Sequence, residues 1–281
     1  MNWKSFVGSI VYFFMNLLLI RVFVPSYDLE LMNNLAVLYV CIICITLSPI
    51  GEWVLCLLAS AKPIPRKDMN IKIVPLLEIV LRAAKKEMPP MINTVRLRYI
   101  DDPAPMAYAL GRKTICVTEG FLRLPDNLIM GALAHEVAHL AYRHTTVQLL
   151  IGGGNLFVTG FIFLLKLALK LFTLISGLSI LNRNSRITGI IMAVCSAVLH
   201  FLVSAWTKLS MIFLCWSQRE NEFIADSFAY EIGFGNELAA VLDKLQAPQK
   251  STLIHALFSA HPSINERIGR LQELGATYSS Y

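Results

Sequence analysis

Four long apolar stretches cut this chain of 281 residues into pieces, and they limit its fold more than any other feature. They cover residues 6–24, 35–61, 149–180 and 187–216. Backbone N–H and C=O groups cannot stay unpaired in hydrocarbon, so such stretches must be helices that satisfy their own polar groups. Crossing the roughly 30 Å apolar core of a bilayer takes about 20 residues. The expected organisation has two N-terminal transmembrane helices in 1–61 and a polar segment in 62–148. Two further transmembrane or membrane-hairpin helices follow in 149–216, then a second polar segment in 217–281. The two polar segments must build one shared core.

Composition agrees, with 56% hydrophobic and 16% charged residues against about 25% charged in soluble globular chains. The net charge of +6 invites comparison with nucleic-acid binders, but seven of the Lys and Arg residues crowd into 62–86, directly after an apolar run. That is the pattern of a cytoplasmic membrane flank, and without a nucleic-acid motif no such partner is expected. The first run loosely offers small residues for signal cleavage at Val24-Pro25-Ser26, yet a second run follows so soon that an uncleaved anchor is expected. Glu52, near the Lys62 end of the second run, is expected to reach the interface. Lys166 and Lys170, one turn apart in the third run, must snorkel or face a cavity. The six cysteines mostly lie in apolar stretches and suggest no disulfide framework.

Within the polar segments, residues 71–86 carry helical periodicity through Ile71, Val74, Leu77, Leu81 and Ala84. Residues 95–99 and 113–118 read as strands, with Gly111 marking the turn before the second. Pro125-Asp126 opens a helix for which Asp126 can serve as N-cap. That helix carries His135-Glu136-Val137-Ala138-His139. Histidines four apart project from one helix face and can grip one Zn²⁺, and Glu136 beside them can take a proton from the attacking water. A third protein ligand is needed. His144 falls on the opposite face of a continued helix, and Tyr142 and Thr145 stand where a longer histidine-rich zinc motif would need Gly and His. A carboxylate from 219–226 remains. Glu222 has Asp226 one turn later, so the pair can bind metal and orient a ligand histidine together; Glu220 lacks such a partner and is the alternative.

HExxH, two apolar segments, Arg219-Glu220-Asn221-Glu222-Phe223-Ile224-Ala225-Asp226 and then His261-Pro262-Ser263-Ile264-Asn265-Glu266-Arg267-Ile268 follow one another in this order. The chain so resembles the HtpX-type membrane metalloproteases, gluzincins related to the CAAX prenyl proteases. The likeness covers nearly the whole chain. It implies one Zn²⁺ per chain held by His135, His139 and Glu222, with Glu136 as base and Asp226 behind a ligand. It also implies that His261 lies at the active site, where it can hydrogen-bond the oxyanion; on residue type alone, His261-Pro262 would be a cap or turn. Arg267 is expected to pair with a buried carboxylate and hold the tail down. The family's substrate-pairing edge strand reads Asn-Ala-x-Ala; this chain has Met106-Ala107-Tyr108-Ala109, without the Asn. Gln218 stands where Ser is common.

The expected fold is mainly α with a small β-sheet, a zincin-like metalloprotease domain joined to about four transmembrane helices. The expected function is membrane-bound zinc endopeptidase, acting on membrane or misfolded proteins in membrane-protein quality control. Its partners are a protein or peptide substrate and the lipid bilayer. By resemblance it sits in a bacterial cytoplasmic (inner) membrane with both catalytic segments facing the cytoplasm. A CAAX-type prenyl protease and a non-enzymatic membrane scaffold are the two rival readings.

Overall fold

The computed structural model describes residues 3–23, 28–65, 67–88, 94–178, 185–244 and 262–278. Two compact units emerge. One joins Met1–Val7, Ile45–Leu149 and Cys215–Tyr281; the other joins Gly8–Cys44 and Leu150–Leu214.

The second unit is helical. Its helices are α1 (Trp3–Phe23), α2 (Leu29–Thr46), most of α7 (His144–Leu178) and the first part of α8 (Ser185–Glu231). Leu29–Thr46 and His144–Ala168 are long and apolar enough to cross a membrane, while Val7–Arg21 and Ala193–Trp206 are shorter apolar segments. The buried Asn16 amide donates to the Tyr39 hydroxyl at 2.8 Å. Gly154 lies against this pair, where a β-carbon would sit 2.8 Å from the Asn16 amide nitrogen. Gly154 therefore permits close helix approach. Lys166 donates to His200 Nδ1 at 3.2 Å, which joins α7 to α8.

The second apolar run is not one helix. α2 stops at Thr46, and α3 (Pro49–Leu58) starts afresh. Proline cannot continue a helix but suits a first turn. Ser48 supplies the cap, its Oγ accepting from Ile50 N at 3.1 Å. α3 belongs with the polar unit, and there Glu52 is buried, not interfacial.

The polar unit continues with α4 (Lys67–Glu87), β1 (Arg96–Ile100), β2 (Ala107–Leu110), β3 (Thr114–Thr118), α5 (Glu119–Leu122) and α6 (Asp126–Ala141). After the apolar segments come the end of α8, α9 (Gly235–Lys244) and α10 (Ile264–Glu273). The sheet order is β1-β3-β2, with β1 parallel and β2 antiparallel to β3. Lys62 pairs with Tyr99 beyond β1, so β2 forms the other edge. One core takes Ile73, Leu77 and Val80 from α4, Ile115 and Val117 from β3, Leu133 and Val137 from α6, Ala225 and Phe228 from α8, and Leu271 from α10. Gly131 lets α9 approach α6, since a β-carbon would lie 2.5 Å from Leu238 N.

Asp126 is the first residue of α6, not its cap; Pro125 holds the cap position without a side-chain bond. The carboxylate instead sits in the first turn, where negative charge is favoured, 3.5 Å from Lys72 Nζ. α8 runs unbroken for 47 residues through 216–217, where the composition changes from apolar to polar.

Candidate metal centre

His135, Glu136 and His139 lie in the last two turns of α6, and Glu222 and Asp226 near the end of α8. His135, His139, Glu222, Asp226 and Arg267 are all buried. His135 Nε2 and His139 Nε2 are 3.0 Å apart. Glu222 Oε2 lies 3.2 Å from His135 Nε2, and its Oε1 lies 3.3 Å from His139 Nε2. Two ligand atoms on a tetrahedral zinc, each about 2.05 Å from it, stand roughly 3.3 Å apart. The two imidazole nitrogens stand close to that separation, and each has one oxygen of the Glu222 carboxylate at about the same distance, so His135, His139 and Glu222 fit the metal that the motif implies.

The far sides of these side chains are also held. His135 Nδ1 is 2.9 Å from Asp226 Oδ1; donating its proton there leaves Nε2 with a free lone pair for a metal. Arg267 clamps the same carboxylate, Nε to Oδ2 at 2.8 Å and Nη2 to Oδ1 at 2.7 Å. Its Nη1 stands 3.3 Å from Glu222 Oε2. Burial and the Arg267 charge press the His135 pKa down, but hydrogen bonds to Asp226 and Glu222 prevail and lift it to about 9. Burial raises the Asp226 pKa, yet Arg267 and His135 hold it below the ordinary value. The site therefore favours a cation beside His135, be it a proton or a metal.

His144 reaches this centre by a route that helical geometry does not anticipate. α6 ends at Ala141, and Arg143 takes a left-handed conformation with φ 58°. That turn folds His144 back until its Nδ1 is 3.0 Å from His139 Nδ1. With a metal on His139 Nε2, His139 Nδ1–H would donate and His144 Nδ1 would accept. His144 then carries its own proton on Nε2, a buried atom with no hydrogen-bond partner among the described residues. Its ring stacks on Tyr142, with centroids 5.6 Å apart. Burial, with His139 adding to it, holds the His144 pKa far below the ordinary value, so the ring is neutral.

Glu136 is half-buried, and its Oε2 accepts from Ala109 N at 2.6 Å. Ala109 belongs to edge strand β2, as do Ala107 and Tyr108, with Met106 just before it. The turn after β2 is fixed from two sides. Thr145 Oγ1 donates to Gly111 O. Glu52 accepts from Thr114 Oγ1 and, at 3.2 Å, from Arg112 N. The tail helix α10 is seated on α8 by Arg267 and by Arg219, which grips Glu266 at 2.8 and 2.9 Å. Arg270 lies 3.5 Å over the Phe223 ring.

The structure thus brings His135, Glu136, His139, Glu222, Asp226 and Arg267 together, with Ala109 at their border. Glu220 is not in the donor group, and His261 lies outside the described residues. Sequence reasoning missed the contact of His144 with His139 and the place of Glu52 under the turn after β2. The signal for Glu52 was a carboxylate in an apolar run; the left-handed turn had none, because Arg143 occupies a position where Gly or Asn is usual.

Residues 75–275 match peptidase family M48. A protease HtpX homolog from Campylobacter hominis is 30% identical over 228 residues, covering 71% of this chain and 74% of the relative. One from Dictyoglomus thermophilum is 26% identical over 232 residues, covering 70% and 73%. The crystal structure of S. mikatae Ste24p shares the fold, with a TM-score of 0.51 at 17% identity over 96% of this chain. This chain spans 66% of the length of that structure. With its motifs, its fold and these relatives in agreement, the chain belongs to the M48 metallopeptidases and is of the HtpX type.

Proposed function

We propose that the chain is a zinc-dependent endopeptidase anchored in a membrane, with His135, His139 and Glu222 as zinc ligands and Glu136 as base. The observation that carries this reading is two imidazole nitrogens 3.0 Å apart, each with a Glu222 carboxylate oxygen at 3.2 or 3.3 Å, beside a glutamate held at a sheet edge. A zinc ion there would supply Lewis-acid polarisation of the scissile carbonyl and a more acidic water. Glu136 takes a proton from the attacking water and passes it to the leaving amine. Asp226 and Arg267 keep His135 and Glu222 oriented. The Ala109 N–H turns away from β3 toward Glu136, and by alternation along the strand Ala107 turns the same way. A substrate laid along β2 as an added strand would use that edge, with Met106 and Tyr108 flanking it. By resemblance, His261 donates to the oxyanion.

Both catalytic segments share one metal, so an even number of crossings separates them; with 62–86 as a basic flank, the shared side is the cytoplasm. Four apolar helices, a bacterial inner membrane and a quality-control role on membrane or misfolded proteins complete the proposal. Metal analysis beside casein cleavage, with and without a chelator, tests it. Glu136→Gln should keep its zinc and lose all cleavage; normal turnover in that variant removes the mechanism. The Ste24p likeness keeps a prenyl-protease reading in view, and cleavage of a prenylated peptide in preference to casein would favour it.

A further inference from the structure

The outer face of α3 is a row of apolar side chains. Ile50, Trp53, Leu57 and Leu58 are 60%, 62%, 64% and 66% exposed, and Val54 38%. Their spacing is a single helical stripe, and it contains no charged residue. The opposite face is fixed to the polar unit, with Gly51, Glu52 and Cys56 buried and Cys56 packed against Leu110 and Cys116. Ten residues make a helix of about 15 Å, half the hydrocarbon thickness, so α3 cannot cross a bilayer.

We propose that this stripe docks the catalytic unit on the bilayer surface, at the boundary of headgroups and acyl chains, and that Glu52 couples it to the substrate edge strand. The proposal rests on the membrane reading above. Three observations favour lipid over a protein partner. Only Leu47 and Ser48 separate α3 from α2, a helix long and apolar enough to span. That corner is tight, because a β-carbon on Gly51 would lie 2.1 Å from the Thr46 carbonyl oxygen. Trp53 is the residue type that prefers the interface, and Lys62, Arg66 and Lys67 follow within a few residues to meet anionic headgroups.

The coupling runs through one turn. Glu52 bonds Arg112 N and Thr114 Oγ1. Gly111, at φ 65°, lies so close that a β-carbon would be 2.6 Å from Glu52 Cγ. β2 leads back from this turn to Ala109, which holds Glu136. A bilayer that fixes α3 therefore fixes the edge strand and the base together.

Depth-dependent fluorescence quenching tests the docking. All four tryptophans are replaced by Phe, and Trp53 alone is restored. The protein is reconstituted in phosphatidylcholine vesicles with bromine at shallow or deep acyl positions. Trp53 emission should be quenched strongly by shallow bromine and weakly by deep bromine. A Phe201→Trp probe in the tryptophan-free chain, on the shorter apolar segment of α8, reports membrane insertion independently. If that probe is quenched and Trp53 is not, the docking is wrong; if neither is quenched, the membrane reading fails first and the docking with it.

Rate measurements test the coupling. Trp53→Ser with Leu57→Ser should slow casein cleavage in vesicles several-fold while zinc content and melting temperature stay unchanged. Glu52→Gln should slow it similarly at full zinc content. Wild-type rates in both refute the coupling. A protein that is dimeric in detergent and becomes monomeric with Trp53→Ser and Leu57→Ser shows that the stripe receives a second copy, not lipid.

Discussion

His144→Phe separates the ring's packing from its hydrogen bond. Phenylalanine keeps a flat ring to stack on Tyr142 at 5.6 Å. It removes the acceptor that faces His139 Nδ1 at 3.0 Å, at a site only 2% exposed. Loss of a partner behind a metal-bound histidine typically lowers affinity by about 10–100-fold, or roughly 1.4–2.8 kcal/mol. That range matches the penalty of about 1–3 kcal/mol for leaving one buried donor unsatisfied. The metal-free chain should not lose stability, because phenylalanine also removes the buried His144 Nε2–H, which has no partner among the described residues. The assay is zinc competition against a chromophoric chelator in detergent, in a Glu136→Gln background that prevents self-digestion. His144→Asn places an amide oxygen near the lost acceptor and should recover most of the affinity. Parental zinc affinity in His144→Phe would refute the reasoning, as would equal losses in the Phe and Asn variants.

Three further outcomes are expected. Glu222→Ala should strip most of the zinc and Glu220→Ala none, because of the two only Glu222 lies in the donor group; metal stoichiometry decides, and the reverse pattern identifies the other carboxylate. The His135 pKa is raised to about 9 from an ordinary 6.5, so its contribution to metal-free stability is full below about pH 6.5 and is lost as pH rises through about 9. Zinc must displace that proton, so calorimetry at pH 7.5 in buffers of different ionisation enthalpy should show roughly one proton released per zinc; no release contradicts the assignment. Arg267→Leu leaves Asp226 and Glu222 buried without their cation, at a cost of roughly 3–5 kcal/mol. The melting temperature should fall by about 10 °C, and a drop below about 2 °C counts against the clamp.

Much of the centre was legible because its spacing is local. Histidines four apart on a helix meet whatever the fold, and Glu222 and Asp226 one turn apart act together for the same reason. The strands at 95–99 and 113–118 and the helix at 71–86 were readable to within a few residues, whereas β2 came only with the family resemblance. Boundaries were harder. Pro49 was visible, but hydropathy continues across it, and only the Ser48 cap shows that α2 and α3 are separate. Glu52 was placed at the interface because an apolar run suggests lipid on all sides. Its partners, Arg112 and Thr114, are some sixty residues away and invisible to a local pattern. His144 stays outside the donor group, as its spacing predicts, but its place behind His139 escapes helical arithmetic because α6 has already ended.

The Arg267 clamp has a consequence in time. Arg267 follows His135 by 132 residues, and a ribosome adding roughly 5–20 residues per second needs about 7–26 seconds to cover that distance. Throughout this interval the nascent chain carries both histidines and Glu136 without the arginine that secures Asp226 and Glu222. A centre finished by its tail matures only after nearly all its other parts have been made, so the growing chain and its neighbours on the ribosome are spared a fully ordered protease during synthesis.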